Sequence, residues 1–119
     1  MIARVWKGIT LESDSESYLK YLEENKVKNY RNIPGNKGVY LLQRNDDENT
    51  EFLIISLWDS LDSIQKFACS GIEKAVYTRE DKKYLLKLEP DILHYNITFE
   101  NIPKNISSED YWKIPRGII

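Results

Sequence analysis

The seven residues Phe52-Leu53-Ile54-Ile55-Ser56-Leu57-Trp58 constrain this chain more than any other stretch. An extended strand sends Phe52, Ile54, Ser56 and Trp58 to one side and Leu53, Ile55 and Leu57 to the other. Both sets are apolar, so both faces of the strand must be covered. The rest of the chain supplies about two good amphipathic helices, enough for one face. A second copy of the chain is the simplest cover for the other, so an obligate homodimer is expected.

The segments around this strand fall into a recognisable order. Ile2 to Gly8 reads as a strand. Ser13 and Glu16 have capping-box spacing, and the helix after them should run to about Lys26. Its inward stripe is Tyr18, Leu19 and Leu22, with Tyr21 at the border. Pro34-Gly35-Asn36 breaks the chain before a second strand, Val39 to Arg44. The polar residues 45–49 form a hairpin loop into the third strand, Glu51 to Trp58. Asp59-Ser60 caps a second helix carrying Leu61, Ile64, Phe67 and Ala68, which Gly71 closes. A short helical turn fits 72–77, 78–88 is ambiguous, and Ile92 to Phe99 is a last strand. The order βαββαβ is the split βαβ, or ferredoxin-like, plan, an α+β fold with an antiparallel sheet. Residues 1–99 are expected to form the domain. Residues 100–119 are expected to be a C-terminal extension that packs on the domain or its partner.

Composition narrows the function classes. At 119 residues the chain is one domain. Its 17 basic and 19 acidic residues are intermixed, for a net charge of −2, which argues against a nucleic-acid groove. No apolar run approaches the ~20 residues of a membrane span, and the N-terminus is charged too early for a signal peptide. Cys69 is the one cysteine and His94 the one histidine, so neither a disulfide framework nor a His- or Cys-based metal site is expected. A cytoplasmic location follows from the same features. Eight tyrosines and three tryptophans, against three phenylalanines, suit ligand pockets and interfaces.

Several segments resemble the antibiotic biosynthesis monooxygenase-like family. They are Met1-Ile2-Ala3-Arg4-Val5-Trp6, Pro34 to Tyr40, Ser56-Leu57-Trp58-Asp59-Ser60, Glu73-Lys74-Ala75-Val76-Tyr77 and His94-Tyr95. The resemblance covers about residues 1–99. It implies a ferredoxin-like domain that pairs sheet to sheet into a dimeric α+β barrel. Some members of that family oxidise aromatic polyketides or quinols with dioxygen and no cofactor, others bind and degrade haem, and many have no assigned activity, so the resemblance does not fix the function. The haem-degrading branch uses an Asn on the first strand, a Trp on the second helix and a later His. Here the first strand carries Trp6 and Lys7, and the other two positions are best matched by Phe67 and Tyr77. Haem chemistry is therefore the less favoured of the two.

A cofactor-independent oxygenase needs an aromatic pocket, a base or relay, and a group to hold an oxyanion. Arg4 and His94 are the catalytic candidates, Arg4 facing a developing phenolate and His94 relaying the proton. Trp6, Tyr40, Trp58, Phe67 and Tyr77 are the candidates for binding a small aromatic substrate. No cofactor is expected. The competing reading is a dimeric small-molecule-binding or stress-associated protein without catalysis, in which these residues are ordinary core and interface. No phosphate loop, nucleophile elbow or dinucleotide fingerprint is present.

Overall fold

The first three strands extend further than their apolar residues alone suggest. A computed structural model describes residues 1–68 and 75–103. In chain order it gives β1 (Ile2–Leu11), α1 (Ser15–Leu22), β2 (Asn36–Asp46), β3 (Asn49–Trp58), α2 (Leu61–Ala68), α3 (Arg79–Tyr84) and β4 (Leu93–Asn96). The strands form one sheet in the order β2-β3-β1-β4, every neighbouring pair antiparallel. This is the α+β, ferredoxin-like plan, with α3 added between α2 and β4. Cys69, Gly71 and the extension from residue 104 onward lie outside the described residues, as does the first half (72–74) of the turn expected at 72–77; residues 75–77 are not helical.

The two faces of β3 meet different surroundings. Phe52, Ile54, Ser56 and Trp58 are buried, while Leu53, Ile55 and Leu57 are half-buried. Tyr18 and Leu22 of α1 close on Phe52 and Ile54, with Leu85 completing the core. The Tyr18 ring meets Phe52 edge-on at 5.7 Å, an arrangement worth about 0.5–1.5 kcal/mol beyond simple burial. On the opposite face the register aligns Ile55 with Val5 and Tyr40, and Leu53 with Leu42. Tyr40, Leu93 and Tyr95 are each 54% exposed there and Leu42 is 45% exposed. No helix among the described residues is long and apolar enough to cross a membrane.

Local details depart from the sequence reading at four points. The Ser13–Glu16 capping box does not form: residues Glu12–Asp14 make a 3-10 turn, and Asp14 precedes α1 without a side-chain cap bond. The helix then widens into a π turn, Glu23–Val27, with the Lys28 N–H reaching back to the Glu23 carbonyl at 3.1 Å. The hairpin loop tightens to Asp47-Glu48, with Asp47 in the left-handed region at φ 48° that Asp tolerates. The expected last strand pairs only from Leu93 to Asn96.

One glycine locks the sheet to α2. Gly35 has φ 86°, and its carbonyl accepts the Asp59 N–H at 2.9 Å, joining the start of β2 to the end of β3. Ser60 caps α2, its hydroxyl accepting the Ser63 N–H at 3.2 Å. A Cβ on Gly35 would lie 2.2 Å from the Ser63 Oγ. Gly35→Ala is expected to destabilise the protein by roughly 1–3 kcal/mol. A urea midpoint unchanged from wild type would contradict this account of the turn.

Candidate functional site

The site lies between the helix-covered face of the sheet and the segment 75–81. Antiparallel register builds its floor: Arg4 on β1 stands between Ser56 on β3 and His94 on β4, and Trp6 stands beside Ile54. Arg4, Trp6, Ile54, Ser56, Tyr30, Phe67, Tyr77, Ile92 and neighbours line a half-open cavity of about 420 Å³. Lys26, Thr78 and Asp81 line it from the helix side.

Arg4 is the strongest chemical feature of the floor. It is 7% exposed, and its guanidinium carbon lies 5.8 Å from the Phe67 ring centroid. Burial lowers its pKa and nearby Tyr30 opposes that, but a guanidinium stays charged. Its Nη1 lies 3.1 Å from His94 Nε2. Arginine can only donate, so His94 Nε2 accepts, and a neutral ring carries its proton on Nδ1. In this arrangement the His94 lone pair is engaged with Arg4, and His94 is not among the lining residues.

The aromatic wall depends on a glycine. Gly8 is buried two residues from Trp6, and a Cβ there would stand 2.4 Å from the indole ring. The indole therefore lies along the strand over Gly8. Its N–H donates to the Tyr77 hydroxyl at 3.3 Å, and that hydroxyl donates in turn to the Glu89 carbonyl. Burial pushes the Tyr77 phenol up, and the Trp6 bond partly offsets this. Tyr77 is thus a neutral hydroxyl that can still accept one further hydrogen bond.

The other candidates from the sequence are placed differently. Trp58 is fully buried beneath the cavity, against Phe67 at 5.2 Å and Tyr30 at 6.1 Å. Its N–H donates to Ser56 Oγ at 2.8 Å. It supports the wall and does not line the space. Tyr40 lies on the opposite face of the sheet, opposite Ile55. Arg4, Trp6, Phe67 and Tyr77 come together, with His94 directly behind Arg4.

Sequence reasoning missed Asp81, Lys26 and Thr78. Asp81 is 1% exposed and accepts from Tyr18 Oη at 2.9 Å, Thr78 N at 2.8 Å, Thr78 Oγ1 at 3.0 Å and Lys26 Nζ at 3.0 Å. Thr78 and Asp81 form a reciprocal capping box on α3. Tyr21 bonds the Thr78 hydroxyl at 2.6 Å, tying α1 to the segment over the cavity. Burial pushes the Asp81 carboxyl up, but the Thr78 N–H, Lys26 and Tyr18 outweigh it and hold it below its ordinary value. Burial, reinforced by Asp81, pushes the Tyr18 phenol up. Among the described residues no group of three or more His, Cys, Asp or Glu side chains could hold a metal ion.

A sequence model of the antibiotic biosynthesis monooxygenase family matches residues 9–76. The chain belongs to that family. No curated protein matches it in sequence. Among solved structures it is similar to a candidate antibiotic biosynthesis monooxygenase from Bacillus cereus, with a TM-score of 0.60 and 8% identity over 86% of this chain and 97% of that one. It is also similar to a variant of MhuD bound to two manganese protoporphyrin IX molecules per active site, at TM-score 0.57 and 15% identity, over 87% and 100% of the two chains. The haem degrader MhuD from Mycobacterium tuberculosis with two haems bound gives TM-score 0.52 and 15% identity, over 85% and 99%. At these identities the antibiotic biosynthesis monooxygenase likeness is one of fold.

Asp81 gives this family member a pH signature. Its folded carboxyl titrates below its unfolded one, so the stability it contributes is complete above about pH 4 and is lost as pH falls through the folded value. The stability gap between wild type and Asp81→Asn is expected to be full at pH 6 and to shrink steadily below about pH 4. A gap constant across that range, measured by urea unfolding, would contradict the assignment.

Proposed function

We propose that the chain is a homodimeric oxygenase that oxidises a small phenolic or quinol-type aromatic with dioxygen and needs no resident cofactor. The observation that carries this reading is Arg4, a buried cation lining an aromatic-walled cavity of about 420 Å³. Such a cation favours the phenolate or enolate form of a bound ligand, because an ion pair is far stronger in a dry cleft than in water. The ionised ligand passes an electron to dioxygen. Recombination at carbon gives a hydroperoxide, which loses water to leave a carbonyl. Overall, a ring CH₂ and O₂ become C=O and H₂O. Trp6 and Phe67 supply the ring-shaped walls. Tyr77 accepts a substrate hydroxyl proton bond, and Ser56, whose oxygen already accepts from Trp58, has a proton to give. His94 holds Arg4 in place through Nε2.

One observation favours the binding-protein reading. Among the described lining residues no side chain is free to act as a base: Asp81 accepts four hydrogen bonds. An oxygenase here would rely on substrates acidic enough to ionise beside Arg4. Haem degradation has less support. Among the described lining residues none is histidine or cysteine, two common haem-iron donors.

Oxygen uptake with a panel of anthrones and hydroquinones tests the proposal. Turnover above the protein-free rate is expected, and Arg4→Gln is expected to lower kcat about 10²–10³-fold while the fold is retained. A panel with no enhancement would leave the binding reading. The homodimer is supported by the exposed apolar face around Ile55. Native mass spectrometry is expected to give a dimer for wild type and a monomer for Ile55→Glu, which would bury two like charges. A monomeric wild type would overturn the pairing.

A further inference from the structure

Lys26 occupies a position that the helix pattern reserves for an apolar residue. Tyr18, Leu22 and Lys26 follow one another at i+4 spacing, on one face of α1 and its π turn. Tyr18 and Leu22 are both fully buried. The side chain of Lys26 is 27% exposed, and its ammonium lies 3.0 Å from Asp81 Oδ2. π turns are rare and occur often at functional sites.

The division of labour within the pair follows from counting hydrogen bonds. A carboxylate has about four acceptor sites. Tyr18, the Thr78 N–H, the Thr78 hydroxyl and Lys26 supply four donors to Asp81. Three of these donors meet Oδ2, the oxygen that holds Lys26, and Tyr18 meets Oδ1; Asp81 is 1% exposed, and its effect is to fix the ammonium. Lys26 has three N–H donors, and Asp81 is its partner among the described residues. Both residues line the cavity, and so does Arg4. Arg4 rises from the sheet floor, whereas Lys26 reaches in from the helix layer. Trp6, Ile54 and Phe67 line the same cavity.

We propose that Lys26, held by Asp81, is a specificity-determining residue that takes an anionic oxygen of the ligand across the cavity from Arg4. The preferred ligand class is an aromatic acid: a ring with a phenolic or carbonyl oxygen toward Arg4 and a carboxylate toward Lys26. This inference rests on reading the cavity as an aromatic-binding site and sharpens it from any small phenol to an acidic one. Asp81 is a positioning residue acting through Lys26.

Isothermal titration calorimetry with two matched probes tests it. The probes are 6-hydroxy-2-naphthoate and its neutral isostere 6-hydroxy-2-naphthamide. Wild type is expected to bind the acid about tenfold tighter than the amide. Lys26→Met is expected to remove that preference by weakening the acid about tenfold, with the amide changed less than twofold. Lys26→Arg is expected to keep the preference. Lys26→Gln, a polar replacement, is expected to behave as Lys26→Met does and provides a second variant if the first does not fold. The inference is overturned if wild type shows no preference, if neither probe binds, or if the preference survives Lys26→Met or Lys26→Gln. Binding is read without turnover. A preference for the acid in a protein that consumes no oxygen upholds Lys26 and removes the oxygenase. Oxygen consumption without a preference does the reverse.

Discussion

The register of β1 between β3 and β4 is the constraint on which the rest of the structure depends. β1 is bonded on both edges, with Arg4 opposite Ser56 on one side and His94 on the other. A shift of one residue in either pairing would exchange its faces. Arg4 and Trp6 would then move to the exposed side, and Ala3 and Val5 would face the helices. The apolar alternation of β3 prevents this, because Phe52, Ile54 and Trp58 are all needed in the core under α1 and α2. The packing of one strand thus fixes the position of the charged and aromatic groups on its neighbour.

The helix layer is joined to the segment over the cavity by polar bonds as well as by the apolar contacts of Tyr84 and Leu85. Val76 is 68% exposed and Leu86 52% exposed on either side of α3. Polar contacts from the helix layer are Tyr18–Asp81, Tyr21–Thr78 and Lys26–Asp81, and Trp6–Tyr77 adds one from the sheet. A buried carboxylate is tolerated only when it is well hydrogen-bonded, and here four donors reach it from two stretches of chain, α1 with its π turn and Thr78. That arrangement makes Asp81 both a structural hub and the reason a lysine can remain on an inward-facing stripe.

The sheet was legible in the sequence because period-two patterns are local. The apolar run of β3, the shared face of Arg4 and Trp6 and the strand order all follow from alternation and the βαββαβ sequence. The face of Tyr40 was not legible, since Val39-Tyr40-Leu41-Leu42 is apolar in both directions and a bulge near Gly38 resets the pairing. Asp81 was hidden for a different reason. Arg79-Glu80-Asp81-Lys82-Lys83 has the composition of a solvated helix face, and only the approach of Tyr18 and Lys26 buries its third residue. Lys26 did leave a trace, four residues beyond Leu22 on the inward stripe, where a charge has no reason to be unless something receives it. The Ser13–Glu16 spacing shows the opposite error: a correct local pattern that the 3-10 turn over residues 12–14 leaves unused.

Gly8 gives the cavity a control that never touches a ligand. The Trp6 indole lies against the strand because residue 8 has no Cβ, and any larger residue there must lift the ring. The same indole lines the cavity. Pocket depth is therefore set from behind the aromatic wall, by the size of one backbone-packed residue. Chains with this fold could be tuned to thinner or thicker rings at that position while every group facing the ligand stays the same.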